Sequence, residues 1–258
     1  MVRASDLARL IVAAAFGLVL GGQRAHAQVP VTDSSLYRPQ IDASTLHPGQ
    51  FVYAATLERD AVSTNLGTRT FTVSQAIYGG LPTWLLVETR TDNGIPATDS
   101  LYAGLLALKP IHWVATLGTS RLAAEFRGDT LYGATSAPAG GRSIVTAIPR
   151  GTFVSAAMLQ TVLRLLPLQS NWEDSSHSTL SVTPASDTIA PTRISVVGDE
   201  SVQVPAGTFD CWVVAVHADA ARGLYWVSKT DPMVVRSVLD VPSMNGAQLV
   251  STLTTVIR

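Results

Sequence analysis

The chain has 258 residues and is poor in cysteine, lysine and charge, and each shortage removes a class of explanation. Cys211 stands alone, so no intramolecular disulfide can form. It sits between Asp210 and Trp212 at the start of an apolar strand pattern, the place of a small buried hydrophobe. A reactive thiol needs an electropositive, accessible setting instead. Lys109 and Lys229 are the only lysines, so no polybasic patch can be assembled. Removing residues 1–27 takes away Arg3, Arg9, Arg24 and Asp6, leaving 15 basic and 18 acidic side chains. That balance gives no electrostatic reason to expect nucleic acid or an anionic membrane surface as partner.

Long apolar runs are missing too. The longest, Leu10–Leu20, has eleven residues, too short for a helical span of roughly 20. Arg3 and Arg9 precede it, and Ala25-His26-Ala27 follows with small residues where a signal peptidase reads. Residues 1–27 are therefore expected to be a secretory signal cleaved after Ala27, leaving a chain with no transmembrane span. No cysteine ends the apolar run, which excludes a lipid-modified N-terminus. The expected location is periplasmic or extracellular.

What is present is a rhythm of short strands. Residues 28–48, with Pro30, Pro39 and Pro48, read as an extended lead-in, and 49–258 as one antiparallel β domain. Runs such as Phe51–Leu57, Arg69–Ile77, Trp84–Thr91 and Ser100–Leu108 are separated by turn signals including Gly79-Gly80, Asp92-Asn93-Gly94 and Asn245-Gly246. Helices do not alternate with these strands, which excludes a parallel α/β fold. Asn171–Pro191, rich in Ser, Thr, Pro and Asp, reads as a loop or as a polar strand around Ser178–Val182.

One helix is expected over 152–166. Val154, Ala157, Met158, Thr161, Val162 and Leu165 share a face, and Leu159, Leu163 and Leu166 add a second stripe. Only Ser155, Gln160 and Arg164 remain as a polar strip, and Pro167 ends the helix. Such a helix must be covered on most sides. Periodicity allows either a core helix or one that borders a ligand cavity.

Val204-Pro205-Ala206-Gly207-Thr208-Phe209-Asp210-Cys211-Trp212 followed by Tyr225-Trp226-Val227-Ser228-Lys229 resembles an uncharacterised family of bacterial envelope proteins. These are similar to the half-barrel of lipoprotein-localisation factors. The resemblance implies a curled antiparallel sheet with a helix packed in its concave side and, by analogy, an apolar cavity. It brings no catalytic residues. It covers residues 193–240 best and the helix less well.

Catalytic and metal motifs are lacking: no Gly-x-Ser-x-Gly, no His-Glu-x-x-His, no paired cysteines and no phosphate loop. No cofactor is implied. His177 follows Glu173 and Asp174 closely, but a third metal ligand is missing, and a solvated polar loop is the plainer reading. His217 near Asp219 lacks a neighbouring nucleophile. The aromatics Trp172, Phe209, Trp212, Tyr225 and Trp226 fit an ordinary core or a pocket. If a cavity exists, Met158, Val162, Leu165, Trp212 and Trp226 are its expected walls. The leading expectation is an exported non-enzymatic envelope protein that binds a lipid or an acylated partner. A structural or protein-interaction module and an unrecognised hydrolase are the competing readings.

Overall fold

The computed structural model describes residues 41–258 apart from Asn93, Pro184, Ala185, Ala220 and Asn245. The expected signal segment, the lead-in up to residue 40, and the turn positions Asn93 and Asn245 lie outside the described residues.

Alternation of inward and outward side chains builds most of the molecule. In Ile95–Gly104, Ala97, Leu101 and Ala103 are buried while Thr98, Ser100 and Tyr102 lie half open. The strands in chain order are β1 (Gly49–Arg59), β2 (Val62–Tyr78), β3 (Leu81–Asp92), β4 (Ile95–Gly104), β5 (Pro110–Leu117), β6 (Ser120–Arg127), β7 (Thr130–Ala137) and β8 (Gly140–Ala147). After them come β9 (Thr152–Phe153), the helix α1 (Ala156–Leu163), β10 (Glu173–Val182), β11 (Asp187–Val204), β12 (Gly207–Ala218), β13 (Ala221–Ser228), β14 (Val234–Val241) and β15 (Ala247–Ile257). All join one sheet in the order β8-β7-β6-β5-β4-β3-β2-β1-β15-β14-β13-β12-β11-β10-β9. Pairing is antiparallel except between β9 and β10.

This topology forces a curl. Flat, the 15 strands would hold their edges roughly 65–70 Å apart. Yet the edge strands β8 and β9 are joined only by residues 148–151, at most about 18 Å of extended chain. Register shifts at Val52/Tyr53, Ala55/Thr56, Tyr102/Ala103, Val196/Gly198 and Trp226/Val227 supply the bending. The result is a large unclosed, curled antiparallel sheet, mostly β with one helix, as expected.

α1 packs on β3, β4 and β9 from the concave side. It is shorter than the expected 152–166, because Thr152–Phe153 pairs with Ser178–Thr179 instead of winding into the helix. Ser155 stays extended and its Oγ accepts the Met158 N–H at 3.1 Å, which sets the start. Even Gln160 of the expected polar strip is buried. The lead-in expectation also changes over its described part. Ala43 and Leu46 enter the core, and the Ala43 N–H donates to the Leu106 carbonyl at 2.8 Å. Of the two readings for the stretch after Asn171 the strand holds, and it begins earlier than Ser178: β10 covers Glu173–Val182 and β11 starts at Asp187.

Candidate ligand-binding site

Antiparallel alternation puts the β2–β3, β4–β5 and β6–β7 turns, the β8–β9 crossing and the start of β1 at one end of the curled sheet. A cavity of about 340 Å³ opens there. Its apolar wall includes Ile41, Leu108, Phe126, Ile148, Phe153 and Met158.

Each wall is fixed locally. The β4–β5 loop closes with the Gly104 N–H on the Lys109 carbonyl at 2.9 Å and the Leu108 N–H on the Gly104 carbonyl at 3.1 Å. Leu108 adopts φ +48°, rare for a branched side chain, and is thereby fully buried. The crossing is held by the Ile148 N–H on the Asp129 carbonyl at 2.7 Å and by Thr152 Oγ1 donating to the Pro149 carbonyl at 2.7 Å. His177 Nδ1 lies 3.0 Å from the Gly151 carbonyl, and its ring stacks on Phe153 with centroids 4.7 Å apart. At the mouth, Lys109 Nζ and Arg150 Nε each stand 3.8 Å from Asp129 carboxylate oxygens. All three side chains are more than half exposed, so these pairs add little stability.

Of the five expected wall residues, the structure brings Met158 to this cavity. Val162 is fully buried in the core and Leu165 half-buried beside it. Trp212 pairs with Val227 and Trp226 with Val213, so the two indoles occupy opposite faces of the β12–β13 pair and cannot share a wall. Lys229 Nζ sits 4.1 Å from the Trp212 ring centroid, and Trp226 Nε1–H donates to Glu200. Ile148, Phe153, Phe126 and the β4–β5 loop carry no wall signal in the sequence, because only the folded topology brings the β4–β5 loop, the β6–β7 turn and the β8–β9 crossing together.

His177 and His217 lie apart and do not share a cleft. His177 is buried rather than solvated, with Nε2 3.2 Å from Asp174 Oδ2, and it does not line the cavity. His217 is exposed on β12, opposite Arg193 and Arg222. Among the described residues no group of three or more His, Cys, Asp or Glu side chains is placed to hold a metal ion. Burial pushes the Cys211 thiol up to about 11, against nucleophilic use.

A second polar centre lies inside the sheet. Arg69 Nε and Nη2 donate to Glu88 Oε1 at 2.9 and 2.5 Å, and Arg90 Nη1 is 3.2 Å from the same oxygen. Burial opposes ionisation of Glu88, but the two guanidiniums more than offset it and hold the carboxyl below its ordinary range. Asp99, directly across from Glu88, accepts the Trp113 Nε1–H at 2.9 Å. Its pKa is pushed up to about 7, first by burial and then by the Glu88 charge. The alternations Trp84-Leu86-Glu88 and Ala97-Asp99-Leu101 carried the signal that these carboxylates face inward.

The family described as "Protein of unknown function (DUF3108)" matches residues 52–254, nearly the whole sheet. The chain belongs to this family. Comparison with curated proteins gave no match. Among solved structures, the chain is similar to a beta-barrel-like protein of domain of unknown function DUF1849 from Brucella abortus. That likeness has 10% identity and a TM-score of 0.50, over 82% of this chain and 98% of the other. At such identity it speaks for the fold alone. A Bacteroides fragilis protein with a YmcC-like fold aligns at 14% identity and TM-score 0.32, over 81% of this chain and 95% of that one. A Desulfovibrio piger protein of the DUF1329 family aligns at 10% identity and TM-score 0.27, over 83% and 87%. No helix among the described residues is long and apolar enough to cross a membrane.

Proposed function

We propose that the chain is an exported, non-enzymatic envelope protein that holds a hydrophobic ligand, a lipid or the acyl group of a modified partner. The observation that carries this reading is the cavity beside Met158. Its volume of about 340 Å³ is at the low end for ligand sites, roughly 300–1,000 Å³, and its walls are chiefly apolar. Such a space suits one chain better than a bulky multi-chain lipid. The rest of the concavity is filled by side chains such as Tyr53, Phe71, Leu86 and Leu101 and by α1, so the ligand sits at the end of the curl. Export is supported by the basic, apolar and small-residue order of residues 1–27.

Binding of cis-parinaric acid, a fluorescent polyene fatty acid, tests the cavity. The expected result is saturable binding that Ala107→Trp weakens about tenfold or more, because the indole narrows the mouth from an exposed position. Binding that is absent, or indifferent to this change, overturns the reading.

A further inference from the structure

Two turn tips at the cavity's end of the sheet are built against the usual rule for water-facing turns. The β2–β3 tip, Ser74–Thr83, contains no charged residue. Ile77 pairs with Pro82 and Tyr78 with Leu81, so Ile77 and Leu81 point to opposite faces of the hairpin. Ile77 is 67% and Leu81 66% exposed, so each face of this tip offers one large apolar side chain to solvent, while Tyr78 behind Leu81 packs on Tyr102 and His112 with centroids 4.7 and 5.0 Å away. Gly79 and Gly80, at φ +58° and +80°, make the tight turn.

The β4–β5 tip repeats the pattern. Gly104 to Leu108 is uncharged, and Leu106 is 74% exposed while Leu108 is buried at a strained φ. The bond from Ala43 N–H to the Leu106 carbonyl anchors this presentation. Thr83 pairs with Gly104, so Leu81 and Leu106 lie two residues beyond that pair on neighbouring strands. By contrast, the β1–β2 turn at the opposite end carries Glu58-Arg59-Asp60.

We infer that this end of the sheet docks on a lipid bilayer surface, with Ile77, Leu81 and Leu106 entering the apolar boundary. Separate projecting tips with one or two large apolar side chains match a fluid medium; a protein interface needs a contiguous, shaped patch. Charge agrees. Among the charged residues that line the cavity, Lys109 and Arg150 outnumber Asp129, a local excess that complements lipid phosphates, although the net charge of the chain had argued against such a surface. The cavity opens on the docked side, so a chain can pass between bilayer and cavity without crossing water. This deepens the ligand-binding reading by naming where the ligand comes from.

The test is flotation of the exported, processed chain with vesicles of phosphatidylcholine, alone or mixed with phosphatidylglycerol. Wild type should float with both, better with the mixed vesicles, and that advantage should fade as salt rises. Leu81→Ser combined with Leu106→Ser should weaken flotation roughly tenfold or more. Since neither residue lines the cavity, cis-parinaric acid binding should persist, which also shows that the variant is folded. No flotation of wild type, or equal flotation of wild type and variant, overturns the docking proposal. A chain that floats through these tips but binds no fatty acid supports docking and overturns the cavity reading.

Discussion

Glu88 and Asp99 face each other across β3 and β4, and their acidities are pulled in opposite directions. The difference is supply of cations: Arg69 and Arg90 both reach Glu88, while Asp99 has the Trp113 indole N–H. A carboxyl raised to about 7 in the folded state and near 3.8 when unfolded binds more protons when folded. Its contribution to stability is therefore present in full below about pH 4, declines up to pH 7 and is level above. Asp99→Asn keeps an acceptor for Trp113 but cannot ionise. The unfolding free energy of the variant relative to wild type should rise by up to about 4 kcal/mol between pH 4 and 7, read from urea titrations. A difference that stays flat with pH would mean that Asp99 is already ionised in the native state. The inward placement of both carboxylates was legible from alternation. Their opposite acidities were not, because Arg69 arrives from another strand, 19 residues before Glu88.

Among the elements, those with apolar alternation were legible and those packed by other means were not. β3 and β4 announce themselves, whereas β7 carries only Leu131 as a large inward residue, followed by Gly133 and Thr135. There the strands approach too closely for side chains. A Cβ on Gly133 would stand 2.6 Å from the Ala123 carbonyl oxygen and 2.7 Å from the Ala124 Cβ. Gly133→Ala should therefore destabilise the protein by about 1–3 kcal/mol with an unchanged urea slope. A neutral outcome would show that β6 and β7 can part without cost. β10 was legible only in its second half, around Ser178–Val182, for a different reason. Its inward positions include Asp174 and His177, whose burial depends on Ser176, Gly151 and Phe153 rather than on apolar character. α1 was legible as a helix, but its ends were not. Apolar periodicity continues through Phe153 and Leu166, while a strand pairing and the Ser155 cap decide where winding begins.

At the scale of the molecule, a β-rich curled sheet could be read from turn spacing, but the manner of its closure could not. The first and last strands, β1 and β15, pair in the middle of the sheet, so both free edges belong to the interior of the chain. β9 is only two residues long, and beyond it side chains join the β8 edge to the β10–β11 hairpin in place of a strand ladder. Arg142 on β8 pairs with Asp187 at 2.8 Å and donates to the Thr183 carbonyl at 3.3 Å, and Thr146 Oγ1–H donates to Asp187. These partners lie 41 or more residues apart in sequence, and none belongs to a motif. A seam held by a few side chains should be the first part of the sheet to open. Arg142→Ala or Asp187→Ala should speed amide hydrogen exchange in β8 by about three- to tenfold, since the pair is partly screened by solvent. The double variant should exchange little faster than either single one, because both changes remove the same bridge. Unchanged exchange in β8 would show that the edges are held by the short Ile148–Gly151 crossing alone, and that the curl is imposed by chain length rather than by its seam.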